Sequence, residues 1–207
     1  MRAERFTFPG HGGHDLAAWL DMPSGPHLAT AVFAHCYTCS KDITAAGRIS
    51  ARLTTMGFAV LRFDFTGLGH SKGEFENTNF TSNVADLYAA VAALTARDMA
   101  PSMLIGHSLG GAAVLKAAAN LDQIKAVVTL GAPADPSHVV HNFGTSLDET
   151  AVNGKAEVTL AGRPFTISHD FVQDVAATEL EGCLAKLKVA LLVLHSPIDQ
   201  TVGIENA

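Results

Sequence analysis

The sequence is short of positive charge. Fourteen Lys and Arg stand against twenty Asp and Glu in 207 residues, a formal net charge of -6. With no basic run, the chain has nothing with which to neutralise a phosphate backbone, which argues against nucleic acid as a partner. Long hydrophobic runs are also missing. The longest strongly apolar stretch, Val189 to Leu194, falls far short of the ~20 residues of a membrane-spanning helix. The first ten residues, MRAERFTFPG, place charges and a proline where a secretory signal has its apolar core. A soluble, cytoplasmic protein with no membrane partner is expected. Cysteine is scarce: three, an odd number in a chain of this length, do not make a disulfide framework, in keeping with a reducing compartment. No internal repeat or low-complexity segment is evident. What remains, 48% hydrophobic and 16% charged residues, suits one compact domain over residues 1–207.

Hydrophobic periodicity alternates between strand and helix, the pattern of an α/β fold with a mostly parallel sheet covered on both faces. Arg5 to Phe8 and Leu16 to Met22 read as an opening antiparallel edge. Further strands are expected at Ala29–Ala34, Phe58–Phe65, Ser102–Ile105, Ala126–Leu130 and Val189–His195. Helices are expected at about Asp42–Met56, ended by Gly57, at about Val84–Asp98 behind the capping residues of NTNFTSN, and at Leu109–Asn120. The interval 135–188 is too long for an ordinary connection and reads as a small cap insertion. Within it, EVTL and RPFTI flank Ala161 and Gly162 as a hairpin, and Asp170 to Leu187 reads as largely helical.

Gly106-His107-Ser108-Leu109-Gly110 is G-x-S-x-G, directly after an apolar strand and directly before an Ala-rich helix. This strand-turn-helix context makes Ser108 a candidate nucleophile. A serine on so sharp a turn needs small residues two before and two after it, and Gly106 and Gly110 supply them. The turn also sets Ser108 at a helix N-terminus, where the Leu109 N–H can hold a developing oxyanion. Cys36-Tyr37-Thr38-Cys39 is a C-x-x-C, open to a redox or zinc reading. A structural zinc site needs two more ligands at suitable spacing and a thioredoxin-like motif needs a different topology, so two small, partly buried thiols is the simpler reading. No motif for a metal or diffusible cofactor is visible.

Further segments carry a family resemblance. Asp64-Phe65-Thr66-Gly67-Leu68-Gly69-His70-Ser71 resembles the D-x-x-G-x-G-x-S loop of many α/β-hydrolases, with Asp64 bracing the loop. AHCYTCSKD, NTNFTSNVADL, GAPADPSHV, LAGRPFTI and DQTVGIENA, with the elbow itself, resemble the hydrolase half of bacterial proteins that fuse an α/β-hydrolase to an OsmC-like domain. The resemblance implies an α/β-hydrolase fold and carboxylesterase activity on small acyl esters. An amidase, an acyltransferase or a catalytically silent binding module on the same fold are the alternatives. Phe33-Ala34-His35-Cys36-Tyr37 is similar to the family's His-Gly-x segment, with Cys36 where glycine is usual, and implies the Tyr37 N–H as second oxyanion donor.

In this fold the triad runs Ser, then Asp or Glu, then His. Asp199, after the last strand, resembles the family's acid, with Asp135 a weaker competitor. All ten histidines precede Asp199, so the expectation is a catalytic His beyond residue 207, on a final strand and helix absent from this sequence. His195 is the first histidine to check within it. The chain alone is then expected to be nearly inactive and to expose a sheet edge that the lost segment, or an OsmC-like domain, would contact. Phe143, Phe165 and Phe171 in the cap are candidates for an acyl pocket.

Overall fold

The computed structural model describes residues 2–144, 146–160 and 162–207. A seven-stranded sheet forms the centre, in the order β1-β2-β4-β3-β5-β6-β9. The strands are β1 Arg2–Pro9, β2 Asp15–Met22, β3 Ala29–Ala34, β4 Phe58–Phe63, β5 Met103–His107, β6 Ala126–Leu130 and β9 Ala190–Leu194. β1 and β2 pair antiparallel, as does β2 with β4, while β4, β3, β5, β6 and β9 run parallel. The mostly parallel α/β architecture expected from the alternation is therefore the one observed.

Side chains alternate across a strand, and β3 shows what this does. Ala31 and Phe33 face a cluster with Val60, Ala46 and Ile105, under helix α1 (Thr44–Thr55). Val32 and Ala34 face the larger core on the other side, beneath α2 (Phe80–Thr95) and α3 (Leu109–Ala118). Because both faces are covered, the central strands read as continuous apolar runs. Fully buried Phe63, Phe80, Leu61, Leu87, Leu94 and Leu104 each contribute about 1.5–3 kcal/mol of burial free energy.

Two boundaries differ from the sequence expectation for local reasons. α2 starts at Phe80 because Asn79 is its cap. The Asn79 side chain accepts from the Ser82 N–H at 2.8 Å and the Ser82 hydroxyl accepts from the Asn79 N–H at 2.9 Å, a reciprocal box that satisfies two amides at once. β4 stops at Phe63 because the Ser71 hydroxyl steps into the ladder, accepting from the Ala17 N–H at 2.9 Å and donating to the Asp64 carbonyl at 2.6 Å. Gly57, at φ 86°, ends α1 as expected.

Among the described residues, 135–188 add no strand to the main sheet. After a 3-10 turn at Pro136–Phe143 come α4 (Ser146–Asn153), the antiparallel hairpin of β7 (Lys155–Leu160) and β8 (Arg163–Ser168), α5 (His169–Ala177) and the short α6 (Glu181–Leu184). The expected hairpin is present; Ala161, named with Gly162 in that expectation, lies outside the described residues. Asp174 on α5 accepts from both the backbone N–H and the hydroxyl of Thr81, each at 2.7 Å. It satisfies an N–H in the first turn of α2 that has no partner within the helix and ties the insertion down there. No helix among the described residues is long and apolar enough to cross a membrane.

β9 pairs with β6 on one edge and bares the other. Leu191, Leu192, Val193 and Leu194 are all exposed, Leu192 by 52%. Four consecutive apolar residues open to water on both faces of an edge strand make a surface ready to pair or aggregate.

Candidate active site

β4 lies on one side of β3 and β5 on the other, so the chain reverses its direction of travel across the sheet at β3. Ligands of open α/β sheets bind at the strand C-terminal ends at such a switch point. Here the parallel register Ala34↔Gly106 and Gly106↔Thr129 carries three loops to the same level. They begin at His35, Ser108 and Gly131.

Ser108 sits at the turn from β5 into α3 with φ 53° and ψ -127°, a left-handed conformation that costs a non-glycine residue about 1–3 kcal/mol. Its N–H is held by the Leu130 carbonyl at 2.9 Å, and its own carbonyl accepts from Gly111 at 2.7 Å. The flanking glycines have steric reasons. A Cβ on Gly106 would fall on the Gly110 carbonyl oxygen, and one on Gly110 on that of His35. Ser108 lines an open cleft of about 440 Å³ with Cys36, Tyr37, Thr38, His107, Gly131, Val139, Leu160, Asp199, Thr201 and Val202.

The loop after β3 is held from below. His35 is fully buried, its Nδ1–H donates to the Cys36 carbonyl at 2.7 Å, and its Nε2 accepts from the Phe65 N–H at 3.3 Å. Burial pushes the imidazole pKa down to about 4, so the ring is a neutral strut. Asp64, also fully buried, accepts from the Lys41 N–H at 2.6 Å, the Lys41 ammonium at 2.8 Å and the His70 N–H at 2.9 Å. It clamps the loops after β3 and β4 together, the bracing role the sequence suggested. Neither the Tyr37 nor the Leu109 N–H has a backbone acceptor among the described residues, and Tyr37 lines the cleft.

Asp199 is in the cleft and Asp135 is not. The Asp199 Oδ1 accepts from the Thr201 and Val202 N–H groups at 2.9 and 3.0 Å, and these bonds hold its carboxyl below the usual pKa. Asp135 instead caps the 3-10 turn, accepting from Ser137 at 2.8 Å. His195 is occupied elsewhere, its Nε2–H donating to the Val202 carbonyl at 2.7 Å. Among the described residues no imidazole is hydrogen-bonded to the Ser108 hydroxyl or the Asp199 carboxylate.

Two expectations need correction. Phe143, Phe165 and Phe171 are not among the residues lining the Ser108 cleft. Phe143 and Phe171 pack on the buried Tyr37 ring, at centroid distances of 6.4 and 4.6 Å, and Phe165 joins them through Phe75. Tyr37 offers an aromatic face in the core, so the phenyl rings gather behind the cleft wall, and Val139 and Leu160 supply its apolar lining. The second correction is that Cys36 and Cys39 are joined as a disulfide across Cα atoms 5.2 Å apart. The turn made by the Cys39 N–H and the Cys36 carbonyl, at 3.1 Å, brings their side chains together. Cys183 is free.

His107 also lines the cleft. It is the last residue of β5, directly before the nucleophile, and desolvation lowers its pKa against the opposing pull of Asp199.

A strained serine on a strand-to-helix elbow, at the switch point of this sheet, defines an α/β-hydrolase. Residues 26–161 match the family model described as Hydrolase_4, serine aminopeptidase S33, and the chain belongs to that family. It is similar to the esterase domain of a Rhodothermus marinus protein, 48% identical with a TM-score of 0.79, covering 100% of this chain and 81% of that one. Est1E of Butyrivibrio proteoclasticus, solved with ferulic acid, shares the fold at 24% identity and a TM-score of 0.78, over 96% of this chain and 81% of that one. Among curated proteins, the human mitochondrial palmitoyl-protein thioesterase ABHD10 is 27% identical over 196 residues, 87% of this chain. The chain spans 59% of that relative's length.

Proposed function

We propose that this chain carries the nucleophile, oxyanion hole and acid of a serine carboxylesterase acting on small acyl esters. The observation that carries the proposal is the left-handed backbone of Ser108 in a cleft shared with Tyr37 and Asp199, strain with no structural use unless the hydroxyl must stand clear of the sheet. Ser108 attacks the ester carbonyl, and the N–H groups of Tyr37 and Leu109 take the oxyanion. Asp199, kept ionised by two amides, orients a histidine that accepts the serine proton and returns it to the leaving alcohol. Water then releases the acid. That histidine belongs to a segment packing against the exposed face of β9, outside these residues. An OsmC-like domain beyond it is the partner the resemblance favours. Residues 135–188 serve as the cap, with Val139 and Leu160 on the acyl side. A cytoplasmic location suits the reading.

The test is labelling with a fluorophosphonate probe and turnover of p-nitrophenyl acetate, on this chain and on one extended to include the histidine. The extended enzyme should label at Ser108 and turn over the ester, Ser108→Ala should do neither, and this chain should retain only the ~10³–10⁴-fold acceleration over water that survives loss of a triad member. An extended chain that neither labels nor hydrolyses would refute the proposal.

A further inference from the structure

His107 lies far from Cys36 and Cys39 in sequence, but β3 and β5 are parallel neighbours in register at Ala34↔Gly106, so the end of β5 meets the loop that follows β3. One ligand atom from each of the three side chains lies within 4.8 Å of the others. Two thiols from a C-x-x-C and one imidazole are a soft donor set, matching tetrahedral zinc sites with a fourth, open position. A second observation concerns the same imidazole. The buried Nδ1 of His107 has no hydrogen-bond partner among the described residues, and an unpartnered buried nitrogen calls for a ligand.

We propose that the reduced form of this cluster binds one thiophilic divalent cation, of which Zn²⁺ is the physiological candidate, through the thiolates of Cys36 and Cys39 and the imidazole of His107, with water in the fourth position. The disulfide and the cation compete for the same sulfurs. An external dithiol splits the Cys36–Cys39 bond, becoming a disulfide itself as two electrons and two protons pass to the protein thiols; cation binding then displaces those two protons. Zn–S bonds of ~2.3 Å and Zn–N bonds of ~2.0 Å require the two sulfurs to part from their bond and the imidazole to close on them. Two of the three ligands, Cys36 and His107, line the Ser108 cleft, so the cation would sit at its wall.

Co²⁺ titration reads the site without reference to hydrolysis, so this proposal and the esterase proposal fail separately. Protein reduced with a dithiol, desalted without oxygen and titrated with Co²⁺ should take up one ion per chain. It should develop sulfur-to-cobalt charge-transfer absorption and the intense visible bands of a tetrahedral site, and Zn²⁺ should abolish both. Oxidation with diamide before titration should prevent them, and Mg²⁺ should not compete. Cys39→Ser should remove much of the charge-transfer band and His107→Ala should weaken affinity at least about tenfold, whereas Cys183→Ser should change nothing. Absence of the bands in the reduced wild type overturns the proposal, as does a spectrum unaffected by His107→Ala or lost with Cys183→Ser. Should a ligand variant fail to fold by circular dichroism, the reduced and oxidised wild type still decide.

Discussion

Asp64 is the place to test the reasoning hardest. Its carboxylate, fully buried, binds the Lys41 ammonium at 2.8 Å and two backbone amides, and Lys41 is itself only 4% exposed. Asp64→Ala strands a buried cation and two N–H groups. Removing one partner of a buried pair costs about 3–5 kcal/mol, and each stranded amide adds up to about 1–3 kcal/mol. Two details hold the sum down. Lys41 keeps a second carboxylate, Asp42, at 3.0 Å, and the His70 side chain is 77% exposed, so water reaches that end of the clamp. A loss of about 4 kcal/mol follows, or a fall in Tm of about 8–16 °C at the ~2–4 °C per kcal/mol usual for this size. Urea unfolding should show the midpoint shift at unchanged slope. The double variant Asp64→Ala/Lys41→Met removes the stranded charge and should be more stable than Asp64→Ala alone, a coupling that a double-mutant cycle reads directly. A single-variant loss below about 1 kcal/mol, or a double variant no better than the single, would refute the buried clamp.

Other sites test the elbow, the strut and the edge. Gly110→Ala drives a methyl into the His35 and Ala34 carbonyls and should abolish fluorophosphonate labelling of the histidine-completed enzyme; normal labelling would show that the elbow tolerates a Cβ. Ser108→Gly relieves the positive φ and should raise stability by about 1 kcal/mol while removing the nucleophile, and a lower urea midpoint would contradict the strain. For His35, the unfolded chain takes up a proton between pH 6.5 and about 4 that the folded chain refuses. Stability from this group is therefore intact above pH 6.5 and declines by about 3 kcal/mol as pH falls toward 4; a His35→Gln midpoint that falls as steeply with acid would remove His35 as the cause. Leu192→Lys on the exposed β9 should reduce self-association in sedimentation velocity, and identical behaviour of the two proteins would mean that the edge is not the sticky surface.

Much of the sheet is legible in the sequence because burial on both faces writes each central strand as an unbroken apolar run. β3 and β6 fall on the residues expected. The α2 boundary is harder, since Asn79 and Asn83 are equally good caps by type. What decides is Ser82, three residues past Asn79, which returns a hydrogen bond that no partner of Asn83 offers. The insertion is legible as an interruption with a hairpin inside, while its placement is not. Its anchor is Asp174 on Thr81, a contact between distant segments that no local pattern encodes.

The candidate site divides along the same line. Ser108 is legible because an elbow is local: five residues, a strand before and a helix after. The aromatic residues of the insertion misled because composition says that a phenyl ring will be buried, not against what, and Tyr37 competes with the cleft for them. His195 illustrates the limit from the other side. It is the histidine nearest to Asp199 in sequence, yet its Nε2–H goes to the Val202 carbonyl, closing the loop that carries the acid. Sequence proximity at a strand end aligns a ring with its own loop. Which side chains meet across the cleft is set instead by which parallel strands are neighbours, and the order β3-β5-β6-β9 brings Cys36, His107 and Asp199 to the edge of one cleft with Ser108.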